Sequence, residues 1–536
     1  MQGHAGASAA EVLRRHGVEV VFTLSGGHIF PLYDGLLPRG IRLLDVRHEQ
    51  TAAFAAEGWA KLTRRLGVAA VTAGPGVTNA VSAMAGAAQS GSPMLVIGGR
   101  APQVRWGAGS LQEFDHIPVV ASITRCALTP QSGEDVAAAL ERAILAATTP
   151  RRGPAFVDVP LDVFASPAAP PDGPVAAPPP RPAPGVADVE RVAALLRESE
   201  RPVLMAGADV YWDGAEHALV RFAEALQVPV FCNGLGRGTI PADHRCAFSR
   251  ARSTALRNAD LVIAAGTPLD FRLRFGDFGP ARVVHIAATP EQIAQHATLA
   301  ASAGGDIGAI LDAVRSASAP RDRSAWLDTL RTEESRIRAE ERADLCSEAT
   351  PIRPSRIYGE LLPRLERDAV VIGDGGDFVS YAGRHVDTFT PGCFLDPGPF
   401  GCLGTGAGYA IAARLARPDA QVVLLLGDGA AGFSLMDFDT LVRHGLPVVA
   451  ICGNNGIWGL EKHPMHAFFG YDVAADLRPG TRYDEVVRAL GGHGELVTEP
   501  AQIGPAIDRA FASGLPALVN VLTDPADAYP RSANLA

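Results

Sequence analysis

Short apolar strands alternate with longer amphipathic stretches in each third of the chain, which predicts an α/β protein of three doubly wound parallel-sheet units. Two more observations support that class. A proline-rich stretch near residue 170 and a charged stretch near 330 cut the chain into thirds. A buried run close to the C-terminus then passes straight into Gly427-Asp428-Gly429, the strand-to-helix turn that a parallel sheet needs.

The first unit is expected over 1–165, with strands at 20–24, 41–46, 68–72 and 94–98 and an Ala-rich helix at 50–62. Residues 166–187 carry Pro167, Pro170, Pro171, Pro174, Pro178 to Pro180, Pro182 and Pro184, and read as a stiff extended linker. The middle unit, 188–345, has strands at 203–206, 261–265 and 283–286, and a charged helical stretch at 326–345. Pro351 and Pro354 break that stretch before the last unit, 346–536, whose strands are 369–372, 422–426 and 448–452. The same α/β plan recurs, yet no sequence repeat accompanies it.

Bulk properties bound the function. At 536 residues the chain exceeds one core, and 47% hydrophobic with 20% charged residues is a globular composition. A net charge of −10 without a Lys/Arg run excludes nucleic acid and an anionic membrane surface as partners. Anionic substrates would need local arginines. Seven cysteines without a C-x-x-C pair suggest neither a disulfide framework nor a zinc site, and fit a reducing cytoplasm. No basic-then-apolar leader and no apolar run of about 18 residues occur, so a soluble intracellular protein is expected.

The stretch from Gly427 to Asn455 holds the most chemistry. Strand 422–426 ends at Gly427-Asp428-Gly429, and strand 448–452 ends at Asn454-Asn455. Two strands that each deliver an oxygen ligand at the carboxyl end make a site for a hard divalent cation such as Mg²⁺. Gly429-Ala430-Ala431 opens the following helix, whose free N–H groups can face an anion. A metal–diphosphate cradle is expected. At the other end, Glu49 in Arg47-His48-Glu49-Gln50 stands between strand 41–46 and the Ala-rich helix, a candidate acid for a dry pocket. Glu57, two turns on, reads as packing support.

The spacing of Gly427-Asp428-Gly429 from Asn454-Asn455 resembles the signature of thiamine diphosphate (ThDP) enzymes. With Arg47 to Gly58, the loop Ala73-Gly74-Pro75-Gly76-Val77-Thr78-Asn79, and Leu111-Gln112-Glu113, the whole chain resembles the acetolactate synthase superfamily. That group includes 2-hydroxyacyl-CoA lyases and oxalyl-CoA decarboxylases. The resemblance implies the three-domain ThDP fold of pyrimidine, middle and diphosphate domains. It implies Glu49 as the catalytic glutamate, with Asp428, Asn455 and the Ile457 carbonyl on Mg²⁺. Gly26, Gly27, Gly375, Asp377, Leu403, Gly427, Gly429 and Ala430 are implied as cofactor-binding residues, Leu403 as the prop for a bent cofactor. Gln112 matches an active-site glutamine, and His28 is a candidate proton shuttle. His116 and His463 are weaker candidates. Glutamate and metal site of one pocket come from different subunits in this family, which implies at least a homodimer.

The middle third carries the features that separate branches. Gly266-Thr267-Pro268-Leu269-Asp270-Phe271-Arg272 resembles a synthase motif whose last arginine, matched by Arg272, grips the second ketoacid's carboxylate. Gly236-Arg237-Gly238, Ala251-Arg252-Ser253 and 395–401 look more like the CoA lyases. A family lysine and a gating tryptophan are replaced by Leu161 and Pro464. A nucleotide-shaped cleft in the middle unit is expected to hold FAD, a CoA or ADP nucleotide, or nothing. The leading expectation is a carboligase/decarboxylase acting on 2-ketoacids such as pyruvate. The alternatives are a lyase acting on acyl-CoA substrates and a noncatalytic cofactor-binding homologue. An NAD dehydrogenase is weighed on Gly404-x-Gly406-x-Gly408, which lacks the glycine spacing. A small regulatory subunit is left open.

Overall fold

The computed structural model describes residues 3–529. Three parallel sheets carry the chain. The first contains Val20–Thr23 (β1), Arg42–Asp45 (β2), Gly67–Val71 (β3), Met94–Arg100 (β4), Ala127–Leu128 (β5) and Pro154–Pro160 (β6), in the order β2-β1-β3-β4-β6-β5. The second contains Pro202–Ala206 (β7), Val230–Cys232 (β8), Leu261–Ala265 (β9), Arg282–Ala287 (β10) and Ala301–Gly304 (β11), in the order β11-β10-β9-β7-β8. The third contains Val370–Asp374 (β12), Phe394–Leu395 (β13), Val422–Gly427 (β14), Val449–Asn454 (β15), His493–Val497 (β16) and Ala517–Leu522 (β17), in the order β13-β12-β14-β15-β17-β16.

The first and third sheets therefore share one strand order, the recurrence that the spacing of apolar runs implied. Their central strands are buried, save Gly427 at the end of β14, because helices cover both faces of a parallel sheet. In each, the order reverses beside the first strand, between β1 and β3 and between β12 and β14. Ligands of open α/β sheets enter at such a switch point, outside the carboxyl ends of the strands.

Helix Glu49–Thr63 of the first unit packs along helix Thr405–Ala416 of the last, and one apolar cluster runs through both sheets. That seam also encloses a charged pair. Lys61 Nζ lies 2.9 Å from Glu57 Oε1, and Tyr409 Oη donates to Glu57 Oε2 at 2.8 Å. The packing role expected of Glu57 is borne out.

One local expectation changes. The stretch after Gly429 is not a single helix but Asp428–Ser434, a 3-10 turn Leu435–Asp437, and Phe438–Arg443. Asp437 is the cause: it accepts hydrogen bonds from the Arg47 backbone (2.8 Å) and from Thr51 Oγ1 (2.6 Å), which ties the break to the first unit. Among the described residues, no helix is long and apolar enough to cross a membrane.

Candidate active site

The carboxyl ends of β12, β14 and β15 open onto one cavity of about 590 Å³. Gly427, Asp428, Gly429 and Ala430 line it from β14 and the turn beyond, and Asn455 and Ile457 from the end of β15. Gly375, Asp377 and Leu403 close it from the β12 side, and Arg272 reaches it from the middle unit. Ten residues singled out in the sequence thus meet around one space.

Asp428 is buried. Its Oδ1 accepts from the Gly429 N–H at 2.9 Å and its Oδ2 from the Gly456 N–H at 2.7 Å. Burial outweighs those donors and pushes its pKa up to about 6. Asn455 Oδ1 accepts from the Ile457 N–H at 3.2 Å. Asn454 turns away, donating to the Thr481 carbonyl and to Asn520. Two glycines keep the wall thin. Gly375 has φ +87°, and a Cβ there would stand 2.5 Å from the Ala430 Cβ; at Gly429 a Cβ would stand 2.4 Å from the Trp458 ring.

The residues from the first third form a second group. Glu49 begins its helix, is buried, and accepts from Asn79 Nδ2 at 3.0 Å. His28 lies in the 3-10 turn Gly27–Ile29, with Nδ1 3.1 Å from Thr72 Oγ1. Burial, assisted by nearby His116, holds the His28 pKa below the usual imidazole value. Gln112 has φ +59° and stands over Gly74. His116 is fully buried: its Nε2 accepts from the Gly74 N–H at 2.9 Å, so its Nδ1 carries the proton given to Asp158 at 2.9 Å. Glu49, Gln112, His28, Gly26 and Gly27 do not line the cavity of the same chain. Each group gathers at the switch point of its own sheet.

Arg272 differs from expectation in one respect. Its guanidinium is already forked on Asp270, with Nε and Nη2 at 3.1 and 2.6 Å from the two carboxylate oxygens. A second cavity of about 590 Å³ lies between the middle and last units, with Arg237, Arg250, Arg252 and Arg384 beside Glu341 and Asp387. It shares Ser380 with the first cavity.

Family models match in chain order: the N-terminal TPP-binding domain of thiamine pyrophosphate enzymes over residues 4–119, their central domain over 189–314, and their C-terminal TPP-binding domain over 374–521. The chain belongs to the thiamine pyrophosphate enzyme family. It is 56% identical to the acetolactate synthase large subunit of Mycobacterium tuberculosis, over 99% of this chain and 98% of that protein. It is 32% identical to human 2-hydroxyacyl-CoA lyase 2, over 97% of this chain and 90% of that protein. With the Caenorhabditis elegans 2-hydroxyacyl-CoA lyase 2 the identity is 33%, over 98% and 90%. The chain is a thiamine-diphosphate-dependent enzyme of α/β fold.

For this thiamine pyrophosphate enzyme, sequence reasoning missed Asp374. It is fully buried at the end of β12 and accepts from the Gly404 N–H at 3.1 Å and the Gly406 N–H at 2.8 Å. It thereby holds the start of helix Thr405–Ala416, and with it Leu403, at the cavity wall. The glycine pair was visible, but nothing local marked the acid 30 residues earlier that its N–H groups bind.

Proposed function

We propose that the chain is a homo-oligomeric, Mg²⁺-dependent carboligase of the acetolactate synthase kind, working in the cytoplasm. It removes CO₂ from a 2-ketoacid such as pyruvate and joins the remaining fragment to a second 2-ketoacid. The observation that carries this reading is the convergence of Asp428, Asn455, Ile457, Gly375 and Leu403 on one cavity at the third sheet's switch point. End-to-end likeness to an acetolactate synthase large subunit supports it. Seven unpaired cysteines suit a reducing compartment.

The residues fit the cofactor and its metal. Asp428 is a buried carboxylate whose described partners are backbone N–H groups only, so a cation would relieve its burial. Asp428, Asn455 Oδ1 and the Ile457 carbonyl are all oxygen donors, the set that Mg²⁺ takes. The wall where Gly375 and Gly429 exclude a Cβ lets backbone approach a diphosphate. When bound, the cofactor supplies the carbanion stabilisation that lets a bond beside a carbonyl break.

The remaining roles belong to the chain's side chains. Leu403 props the cofactor from the cavity wall. Asn79 occupies one oxygen of Glu49 and leaves the other to share a proton with the aminopyrimidine ring. His28, kept neutral by burial, moves protons near the reacting carbon, and Gln112 orients the substrate beside it. Arg272 receives the second ketoacid's carboxylate. A second copy of the chain supplies Glu49 to the cradle, and the working unit is at least a dimer; that Glu49 is not among the residues lining its own chain's cavity supports this.

A CoA-substrate lyase is the second reading, favoured by the arginine-lined cavity that adjoins the cradle and suits a phosphorylated tail. Titrating purified protein with ThDP, with and without Mg²⁺, and then assaying pyruvate against formyl-CoA-dependent ligation tests both. Cofactor uptake with pyruvate consumption is expected. Failure to bind ThDP overturns the reading, and formyl-CoA ligation without pyruvate turnover replaces it with the second.

A further inference from the structure

The segment that brings Arg272 to the cavity is bent against its own backbone. Within Phe271–Gly276, Arg274 (φ 53°, ψ 34°) and Phe275 (φ 54°, ψ 23°) are successive non-glycine residues in the left-handed region. Such strain persists only where the surroundings over-determine it, and it gathers at functional sites. Two clamps are present. Asp270 accepts from the Arg272 N–H at 2.9 Å, and its carbonyl accepts from the Phe275 N–H at 2.9 Å. The second clamp is Arg252.

Arg252 is half-buried, and its two described hydrogen bonds go to neutral oxygens. Nη1 donates to Asn233 Oδ1 at 2.9 Å, and Nη2 donates to the Arg272 carbonyl at 2.8 Å. Asn233 is itself fixed at the end of β8, its N–H bonded to the Ala206 carbonyl at 2.8 Å. Burial, assisted by the nearby Arg272 charge, pushes the Arg252 pKa down to about 10. A partly desolvated cation with no acid among its hydrogen-bond partners is costly, and here it joins the edge of the second sheet to one carbonyl of a strained turn. The product of that clamp is the placement of Phe271, an exposed ring, and Arg272 side by side on the wall of the cavity that Gly375 and Asp377 also line.

We propose that Arg252 is a positioning residue for the second substrate: anchored on Asn233, it holds the Arg272 carbonyl so that the strained turn keeps Phe271 and Arg272 facing the cofactor cradle. The pair offers the Arg272 Nη1 edge, which Asp270 does not engage, to a carboxylate and an aromatic face to a short alkyl chain, which suits a small apolar 2-ketoacid as acceptor. The substrate's identity rests on the carboligase reading; the clamp does not.

The test uses the holoenzyme, with pyruvate as donor and 2-ketobutyrate as competing acceptor. Arg252→Ala should raise the acceptor KM about tenfold, leave kcat at saturating acceptor within about twofold, and leave ThDP affinity unchanged. Limited trypsin digestion read by mass spectrometry should show faster cleavage after Arg272 and Arg274. Adding Arg274→Gly, which accepts the left-handed conformation without strain, should recover part of the acceptor KM. Arg252→Lys keeps the charge but not the two-pronged fork, and should lie between wild type and alanine; it carries the test if alanine does not fold. Unchanged acceptor KM and unchanged cleavage overturn the proposal, as does a parallel fall in kcat and cofactor affinity. If the wild type consumes no 2-ketoacid, the carboligase reading fails, and cleavage alone decides the clamp: equal rates in wild type and variant overturn it.

Discussion

Replacing Asp374 by asparagine exchanges one oxygen for a donor at the floor of the third sheet. The aspartate accepts two backbone N–H groups, from Gly404 and Gly406. Asparagine keeps one acceptor but carries two N–H donors where the neutral acid carries one O–H, and the extra buried donor costs about 1–3 kcal/mol. Burial has meanwhile pushed the Asp374 carboxyl from 3.8 up to about 7. Between those values the unfolded chain has released its proton and the folded chain keeps it, so wild-type stability falls as pH rises. The loss is about 1.4 kcal/mol per pH unit and about 4 kcal/mol in all. Asparagine does not titrate. The variant should therefore be the less stable at pH 4, match the wild type between about pH 4.5 and pH 6, and exceed it at pH 8. Hydrogen exchange over residues 403–416 of cofactor-free protein, corrected for intrinsic rates, reads this local stability. Wild-type protection that is flat across the window, or curves that never cross, would refute the reasoning.

Three further outcomes are expected. Glu49→Gln should lower turnover at least about a hundredfold while the ThDP dissociation constant, measured by calorimetry, stays within about tenfold. Asp428→Ala should abolish Mg²⁺-dependent cofactor retention on gel filtration while changing the thermal midpoint of the cofactor-free protein little, because relief of a buried charge offsets the acceptors lost by the Gly429 and Gly456 N–H groups. Lys61→Met leaves Glu57 buried without its 2.9 Å partner and should cost about 3–5 kcal/mol, seen as a lower denaturation midpoint.

What the sequence disclosed of this fold and site follows from how local each signal is. Strands β12, β14 and β15 were readable as unbroken apolar runs, because burial on both faces removes alternation. The residues at their carboxyl ends converge because parallel strands deliver neighbouring ends to one edge. Strand β6 escaped notice: prolines bound it at both ends, although Pro154 sits at the first strand position, where no ladder N–H is demanded. Asp374, the Asp270 fork on Arg272 and the Arg252 bond to its carbonyl depend on contacts whose partners lie elsewhere in the chain or in a kinked turn, and no periodicity reports them. The kink after Gly429 likewise follows from Asp437 reaching Arg47 and Thr51 across the units. The partition of Glu49 and Asp428 into two groups was implied by the family resemblance, not by any spacing.

Subunit complementation bears on the account most directly. Glu49→Gln and Asp428→Ala chains should each be inactive alone, since each spoils every composite site. Mixed and allowed to exchange subunits, they should regain roughly a quarter of wild-type activity, because half the dimers are hybrids and each hybrid has one intact site. Activity that stays at the level of the separate variants, in a mixture shown by mass spectrometry to contain hybrids, would contradict a site assembled from two copies.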